Sequence, residues 1–270
     1  MNNKNFHFQV GTFRCVVVID GTVAYSHPAQ TFFVNAPKER LEQVLRQHNI
    51  DPEKWEQYVS SYPSLLINTG QHRVLVDTGA GDLTPTTGKL IPNLQAEGIA
   101  TMNIDIVILT HVHPDHIGGN INSEGKPAFP NARHIMWKDE WDFWTSEPSL
   151  AELDVRQRAM IPIARNRLLP IKDQLDLVDH DTEIVPGIRA VAAAGHTPGH
   201  MVVVIASNNE QLLYISDAVL HQIHLEQPDW YSPYDFVPEQ TVASRRRLLD
   251  WAATEKALVH AFHFPFPGLG

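Results

Sequence analysis

The chain has a single cysteine, Cys15, and no long apolar run among its 270 residues. One cysteine cannot form an intramolecular disulfide, so packing, with or without bound metal ions, has to stabilise the fold. No segment approaches the ~18 apolar residues that would span a bilayer, and the first residues lack a basic region followed by an apolar stretch. These absences predict a chain without a membrane segment, and we expect it in the cytoplasm.

Basic residues are scarce as well. The chain carries 31 acidic and 21 basic residues, which gives a formal net charge of −10. This balance offers no electrostatic reason to bind a polyanion, so nucleic acid is not an expected partner. Linkers rich in glycine or serine, short repeats and low-complexity segments are missing too, and a hydrophobic content of 43% suffices for a buried core. We therefore predict one domain over residues 1–270.

The order of apolar runs predicts an α/β fold. Three runs typical of strands open the chain, at residues 13–20, 22–26 and 30–34. A turn is predicted at Asp20-Gly21, and residues 36–60, with apolar positions at helical spacing, predict an insert of two short helices. Residues 104–110 are apolar at nearly every position, which is typical of a strand covered on both faces. A central sheet with helices outside it follows.

The stretch LTHVHPDHIGGN, residues 109–120, holds three histidines and an aspartate within six positions. It follows a buried strand, at the end where α/β sheets generally place their chemistry. His111 and His113 are two residues apart, so an extended backbone projects both to the same side, whereas Asp115 and His116 follow a proline and can turn toward a second point. One turn can therefore supply ligands to two metal ions.

Further candidate ligands lie at the ends of later predicted strands, namely His196, Asp217 and His263. A set of imidazoles and carboxylates suits Zn²⁺ best, and Mn²⁺, Fe²⁺ or Co²⁺ better than Ca²⁺ or Mg²⁺. The grouping that uses every candidate places His111, His113 and His196 on one ion and Asp115, His116 and His263 on the other, with Asp217 bridging. His200 and His260 are the local alternatives to His196 and His263.

The pattern H-x-H-x-D-H, followed by G-H-T-P-G-H, a strand-ending aspartate and a late histidine, resembles the metallo-β-lactamase superfamily from about residue 10 to the end. The resemblance implies an αβ/βα four-layer sandwich with two divalent metal ions at one edge. It also favours His263 over His260 as a ligand. The motif LVDTG matches as well, which implies that Asp77 orients a ligand. His196 directly follows its strand and is preferred as a ligand, which leaves His200 in a supporting position.

Two segments, SDAVLH and HFPFPGLG, look most like the branch that contains methyl parathion hydrolase and related lactonases. Acyl-homoserine lactonases usually carry a tyrosine three positions after the aspartate that matches Asp217, and Leu220 stands there in this chain. The resemblance implies hydrolysis by water activated between two metal ions, with Asp115 or Asp217 moving the proton. The expected substrate is a hydrophobic ester, either a lactone, N-acyl homoserine lactone among them, or an organophosphate triester.

The aromatic residues of segment 134–169 either cover the sheet or line the mouth of the site, and the family analogy favours the mouth. The side chains expected in an apolar substrate pocket are Trp137, Trp141, Trp144, Leu220, His221 and Phe264. A homodimer is a further expectation, mostly from the same analogy.

Other activities of the same fold fit the sequence less well. A zinc β-lactamase of the commonest sort would have a cysteine ligand, but Cys15 is far from every motif. A glyoxalase II-like thioesterase shares the ligand set but would need basic residues for glutathione near its C-terminus, where this chain reads HFPFPGLG. A non-catalytic metal-binding scaffold remains an alternative, although all seven ligand positions are filled.

Overall fold

The computed structural model describes residues 5–146 and 153–270, and within them two β-sheets form the centre of the molecule. The strands of the first sheet are β1 (Phe6–Val10), β2 (Phe13–Ser26), β3 (Gln57–Asn68), β4 (Arg73–Val76), β5 (Ile106–Ile108), β6 (Arg133–Trp137) and β7 (Leu175–Val178). Those of the second are β8 (Thr182–Val185), β9 (Ile188–Ala192), β10 (Met201–Ser207), β11 (Glu210–Tyr214) and β12 (Leu258–His260). Both sheets begin antiparallel in chain order and end with parallel pairing, from β4 to β7 and between β11 and β12.

Helices connect the parallel strands and cover the outer faces of both sheets. They are α1 (Pro28–Phe32), α2 (Lys38–Gln47), α3 (Leu90–Ala96), α4 (Pro114–Ile117), α5 (Lys138–Thr145), α6 (Val155–Leu168), α7 (Ile223–Glu226) and α8 (Pro238–Glu255). In the described ranges, none of them is both long and apolar enough to cross a membrane. Residues 147–152 of the predicted helical segment 134–169 lie outside the described residues.

The strands alternate between two apolar layers because successive side chains point to opposite faces. In β5, Ile108 packs into the core between the sheets, while Val107 packs outward against α3, α5 and α6. In β10, Val203 faces the same central core, while Val204 packs outward against α8. The order helix, sheet, sheet, helix confirms the predicted αβ/βα sandwich. It also explains why β5 is apolar at every position, as predicted for a strand covered on both faces.

Three local predictions in the first sixty residues are wrong. Asp20-Gly21 is no turn, because β2 runs on through a bulge between Ile19 and Gly21. The strand predicted at 30–34 is replaced by α1, which begins with a proline at its first helical position. Only one of the two helices predicted in 36–60 forms, since β3 already begins at Gln57 and pairs there with β2. Pairing with a long neighbour overrides the weak helical spacing of that segment.

The candidate metal ligands meet at one edge of the sandwich because they follow strands that end there. His111, His113, Asp115 and His116 come after β5, His196 after β9, Asp217 after β11 and His263 after β12. Asp77 comes directly after β4, the neighbour of β5. The fold thus brings residues from distant parts of the sequence to one edge.

Candidate metal centre

Two groups of side chains at this edge have the composition of metal sites. The first consists of His111, His113, His196 and Asp217, and the second of Asp115, His116 and His263. Within each group, one potential ligand atom per residue lies within 4.8 Å of all the others. Six of the seven side chains are buried, and Asp115 is half-buried. The structure therefore brings together all seven residues that the sequence singled out.

Asp217 stands between the two groups. Its Oδ2 lies 3.2 Å from His196 Nε2 and 3.1 Å from His263 Nε2, which belong to different groups. Its Oδ1 lies 3.3 Å from His116 Nε2. A carboxylate in this position can contact a cation in either group, as expected of a bridging ligand.

Four of the five histidines in the two groups have a partner for Nδ1, which turns Nε2 toward the centre. The pairs of atoms are His111 Nδ1 with Thr110 Oγ1 (3.2 Å), His116 Nδ1 with Asp77 Oδ2 (2.8 Å), His196 Nδ1 with Asp235 Oδ1 (2.8 Å) and His263 Nδ1 with Ser60 Oγ (3.0 Å). His113 is the exception, since its Nδ1 faces the centre, 2.9 Å from His196 Nε2. Partners of this kind fix the ring orientation that a metal ligand needs.

Unpaired polar atoms test whether the residues fit metal ions. Among the described residues, His111 Nε2, His116 Nε2 and Asp217 Oδ1 are buried and form no hydrogen bond, although the last two lie 3.3 Å apart. Burying a polar atom without a partner is unfavourable, so such atoms indicate a site that binds a further group. Because imidazole nitrogens and carboxylate oxygens are ligands of Zn²⁺ and its neighbours, the residues fit a pair of divalent cations.

The histidines of the site differ in protonation because their surroundings shift their pKa values in opposite directions. Burial, followed by repulsion from neighbouring imidazoles, holds the pKa of His111 and His113 well below the ordinary value, so both stay neutral. Burial alone would also lower the pKa of His196, but hydrogen bonds to Asp217 and Asp235 outweigh it and raise the pKa to about 9. A metal ion has to displace a proton from His196 but not from the first two.

Asp77 ties the metal-binding turn to the second sheet. Its carboxylate accepts hydrogen bonds from His116 Nδ1, from the backbone N–H and hydroxyl of Thr110, and from the hydroxyl of Tyr214. Asp77 itself has φ 59°, a left-handed conformation that is uncommon for a residue other than glycine. Asp77 therefore lies directly beside the candidate ligand His116.

Close backbone contact holds the turn after the ligands in place. A Cβ atom on Gly118 would lie 2.0 Å from the carbonyl oxygen of Ala80, and one on Gly119 would lie 2.3 Å from that of Thr78. Only glycine permits this approach. The Gly-Gly pair therefore lets the loop after β4 pack directly on the ligand turn.

The alternative histidines lie behind the site. His200 Nδ1 donates to the carbonyl oxygen of Ala193, and its Nε2 accepts from the backbone N–H of Asp217, 3.3 Å away. Burial lowers the pKa of His200 to about 3, so it remains a neutral support. His260 stacks on Tyr214 with ring centroids 4.9 Å apart and belongs to neither group.

Two buried carboxylates beside the site have no motif in the sequence. Asp235 accepts from His196 and from the backbone N–H of Ser232, 2.8 Å away. Glu140, on α5, accepts from the backbone N–H groups of Val112 (2.8 Å) and Gly199 (2.9 Å). In the sequence, Glu140 stands out only as an acidic residue within an aromatic segment. The family analogy places the aromatic residues of that segment at the mouth of the site and predicts no role for Glu140.

A cavity of about 220 Å³ opens onto the two groups. Its lining residues are Tyr25, Thr31, Phe32, Tyr62, Ala80, Leu83, Thr84, His113, Pro114, Asp115, Met160, His196, Asp217, Leu220, Tyr234 and His263. Within the described ranges, neither lysine nor arginine contributes to this lining. The cavity is therefore apolar apart from the metal-binding residues and a few hydroxyl groups.

Of the six side chains expected in the pocket, the structure places Leu220 in the cavity lining and the others elsewhere. Trp137 is buried in the core between the sheets, and Trp141 and Trp144 pack against the outer face of the first sheet. The other two are His221, packed edge-on against Phe33, and Phe264, at the outer face of the second sheet. Trp141 and Trp144 cover the sheet instead of the cavity mouth because α5, which carries them, lies along its outer face.

Two tyrosines from the first sheet form one wall of the cavity. The hydroxyl oxygens of Tyr25 and Tyr62 are 2.5 Å apart and share a hydrogen bond. Both rings stand edge-on to the ring of His263, with centroid distances of 6.1 and 5.5 Å. Burial, and then the nearby charge of Asp115, raises the pKa of both phenols well above the ordinary value.

Comparison with known proteins assigns the chain to a family. A family model described as Metallo-beta-lactamase superfamily matches residues 58–258, which include six of the seven candidate ligands. The chain belongs to the metallo-beta-lactamase superfamily. Membership confirms the resemblance seen in the sequence motifs. Together with the two groups of side chains, it identifies the chain as a metal-dependent hydrolase.

Relatives within the superfamily include lactonases. The chain is 24% identical over 219 residues to the N-acyl homoserine lactonase AiiA of Bacillus thuringiensis subsp. kurstaki, which covers 73% of this chain and 79% of the relative. It is similar in structure to AidC, a dizinc quorum-quenching lactonase solved with a product, with a TM-score of 0.90 and 29% identity over 99% of this chain and 92% of that one. The hydrolase AbOPH matches with a TM-score of 0.90 and 27% identity over 100% and 93%.

Proposed function

We propose that the chain hydrolyses a neutral, apolar ester at a pair of divalent metal ions, most favourably zinc, and that a lactone of the N-acyl homoserine type is its preferred substrate. The observation that carries the proposal is the cavity, which combines apolar walls with both ligand groups and presents no lysine or arginine among its described lining residues. An uncharged substrate can enter such a cavity without leaving a buried charge unpaired. The similarity to AiiA and AidC supports the choice of a lactone.

Metal ions bound by the seven residues would lower the pKa of water toward neutrality and polarise the carbonyl group of the ester. The chain supplies the remaining requirements. Asp77, Ser60 and Asp235 hold three histidine rings in place, so the ligands need little rearrangement. The apolar wall formed by Phe32 and Leu220 excludes bulk water from the substrate side.

Asp115 is the better placed of the two candidate carboxylates to move a proton. Both oxygens of Asp217 face histidines of the two groups, and only 2% of its side chain is exposed. The side chain of Asp115 is 17% exposed, and its Oδ2 lies 3.5 Å from His263 Nε2. Asp115 Oδ2 can therefore accept a proton from the attacking water and return it to the leaving alkoxide oxygen, which yields the hydroxy acid.

An organophosphate triester is the second substrate class that the site supports, since it too is neutral and presents a polar oxygen to the metal ions. The presence of Leu220 in the cavity lining favours it. A glutathione thioester fits less well because its carboxylates would find no cation among the described lining residues.

A substrate panel tests the proposal. Purified protein loaded with zinc, manganese or cobalt is assayed for hydrolysis of N-acyl homoserine lactones, simple γ-lactones, aryl esters, a dialkyl aryl phosphate and a glutathione thioester. We expect the highest kcat/KM with an acylated lactone. Two bound ions without turnover of any of these compounds would contradict the proposal and favour a non-catalytic scaffold.

Replacement of one ligand provides the matched test of the site. His113→Ala should lower both metal content and the rate of hydrolysis, because His113 Nδ1 faces the centre. His180→Ala is the control, since His180 is exposed and hydrogen-bonds to the neighbouring Asp179. Full activity and full metal content in His113→Ala would overturn the ligand assignment.

A further inference from the structure

Three tyrosines line the cavity beside the metal centre, and two of them form a pair. We propose that the hydroxyl pair of Tyr25 and Tyr62 donates the hydrogen bond that holds the carbonyl oxygen of the ester substrate. The inference rests on the proposed function and extends it, because it assigns a substrate contact to residues outside the ligand set. It makes both tyrosines catalytic residues.

The hydrogen count of the pair leaves one donor free. Each phenol has one O–H hydrogen, so the pair has two, and their mutual hydrogen bond uses one of them. Neither hydroxyl has another hydrogen-bond partner among the described residues. One O–H group therefore has no acceptor in the described part of the chain, in a wall of the cavity where a bound substrate would provide one.

The pair lies where an ester carbonyl would have to be held. Both tyrosine rings contact the ring of His263, a residue of the second ligand group. His263 Nε2 in turn lies 3.1 Å from Asp217 Oδ2, at the junction of the two groups. A carbonyl carbon at this junction would have its oxygen within reach of the neighbouring wall, where the free O–H group is located.

Other hydroxyl groups in the cavity are less suited to this task. The hydroxyl of Thr31 donates to backbone carbonyl oxygens at 3.2 and 3.3 Å, and that of Thr84 is hydrogen-bonded to Thr87. Tyr234 also lines the cavity, but its ring lies against Arg156 and forms no ring contact with a ligand histidine in the described part of the chain. Tyr231, which is half-buried and is not among the described lining residues of the cavity, supplies the control phenol.

The expected contribution follows from where charge develops during hydrolysis. Negative charge accumulates on the carbonyl oxygen in the tetrahedral transition state, so a fixed donor aimed at that oxygen stabilises the transition state more than the bound ester. A phenol is a suitable donor because it is protonated at neutral pH. Removal of one such donor typically lowers kcat by about 100-fold or more.

Tyrosine-to-phenylalanine variants test the proposal with the metal-loaded protein. The set consists of Tyr25→Phe, Tyr62→Phe, the double variant and Tyr231→Phe. Each is assayed for kcat and KM on N-hexanoyl homoserine lactone and measured for zinc content and melting temperature. Phenylalanine keeps the rings packed against His263, so zinc content and melting temperature should match the parent.

We expect kcat of the double variant to fall about 100-fold, with KM changed by less than about threefold. Each single variant should lose less, because the remaining phenol is released to donate to the substrate, so the two effects will not be additive. Tyr231→Phe should remain within about threefold of the parent. A double variant with parental kcat, or a Tyr231→Phe variant as impaired as the double variant, overturns the proposal.

Binding of a non-hydrolysable analogue separates this proposal from the proposed function. N-hexanoyl homoserine lactam retains the ring carbonyl, and its affinity is measured by calorimetry for the parent and the double variant. Loss of one hydrogen bond to the bound ground state should weaken binding about two- to threefold. Weaker binding by the double variant supports the donor even if the parent turns over no lactone, in which case only the proposed function fails. Equal lactam affinities overturn the donor.

Discussion

The carboxylate of Glu140 accepts a hydrogen bond from the backbone N–H of Gly199 at 2.9 Å, and its other oxygen accepts one from Val112 at 2.8 Å. Val112 stands between the ligands His111 and His113, and Gly199 belongs to the loop that follows His196. A single buried side chain on α5 therefore fixes two ligand loops relative to each other.

Glu140→Ala should destabilise the protein and weaken metal binding. The substitution leaves buried N–H groups without acceptors, which costs about 3 kcal/mol or more. The melting temperature should fall by about 6 °C or more, and zinc affinity should fall because the two loops are no longer held together. Asp139→Ala, an exposed neighbour on the same helix, is the control in thermal melts and zinc titrations. A Glu140→Ala variant as stable as Asp139→Ala would contradict this role.

Asp235→Asn tests the orientation of His196. The carboxylate of Asp235 accepts from His196 Nδ1 at 2.8 Å and thereby directs Nε2 toward the centre. Loss of such a partner typically lowers metal affinity or activity by about 10- to 100-fold. Chelator competition measures the affinity, with Asp229→Asn as the control because Asp229 pairs with Arg246 at the surface. Unchanged zinc affinity in Asp235→Asn would show that the orientation of His196 does not depend on this hydrogen bond.

Asp20→Asn should alter substrate binding without removing metal. Asp20 is buried and accepts from the backbone N–H groups of Ala80, Gly81, Gly88 and Leu90, at distances from 3.0 to 3.2 Å. The four N–H groups belong to the loop of residues 80–90, which also contributes Leu83 and Thr84 to the cavity lining.

The amide group of asparagine would present a donor where Asp20 now presents an acceptor, so the free energy of unfolding should fall by about 2–4 kcal/mol. KM should rise while zinc content stays at the parental value. Steady-state kinetics and metal analysis check the two results, and loss of zinc together with the rise in KM would place Asp20 in the metal site instead of the cavity wall.

Metal affinity should increase with pH between 6 and 8. The pKa of His196 is raised to about 9, so the metal-free protein holds a proton there throughout this range, and binding has to release it. Each displaced proton makes zinc binding about tenfold tighter per pH unit. Chelator competition at three pH values measures the slope, and calorimetry in buffers of different ionisation enthalpy counts the protons. A zinc affinity independent of pH would contradict the assignment of the raised pKa to a ligand.

The sequence predicted the parts of the site that short-range spacing encodes. The turn that carries His111, His113, Asp115 and His116 is one local motif, and a buried strand in front of it placed it at a sheet edge. Asp235, Glu140 and the tyrosine pair have no such pattern, because the hydrogen bonds that define them join residues 28–59 positions apart. Only the folded chain shows these contacts.

The errors in the fold have a similar cause. Residues 30–34 contain β-branched and aromatic side chains, and their composition alone favours a strand. In the structure, Phe32 and Phe33 instead pack in a cluster with Leu220 and Trp230, which are nearly 200 residues away in the chain. The tryptophans of α5 are a second case, because the sequence predicts them in the pocket and the structure places them on the sheet. A helix with aromatic side chains can cover either a sheet or a cavity, and its composition does not decide between the two.

The apolar lining of the cavity also bears on what happens after the reaction. A neutral ester becomes a carboxylic acid on hydrolysis and ionises at neutral pH, so the product bears a charge that the substrate lacked. No lysine or arginine among the described lining residues is available to pair with it, and the chain has a formal charge of −10. If the chain hydrolyses the neutral ester proposed above, then, apart from the metal ions, the surroundings that admit the substrate do not stabilise the charged acid, which favours product release and limits inhibition as the acid accumulates.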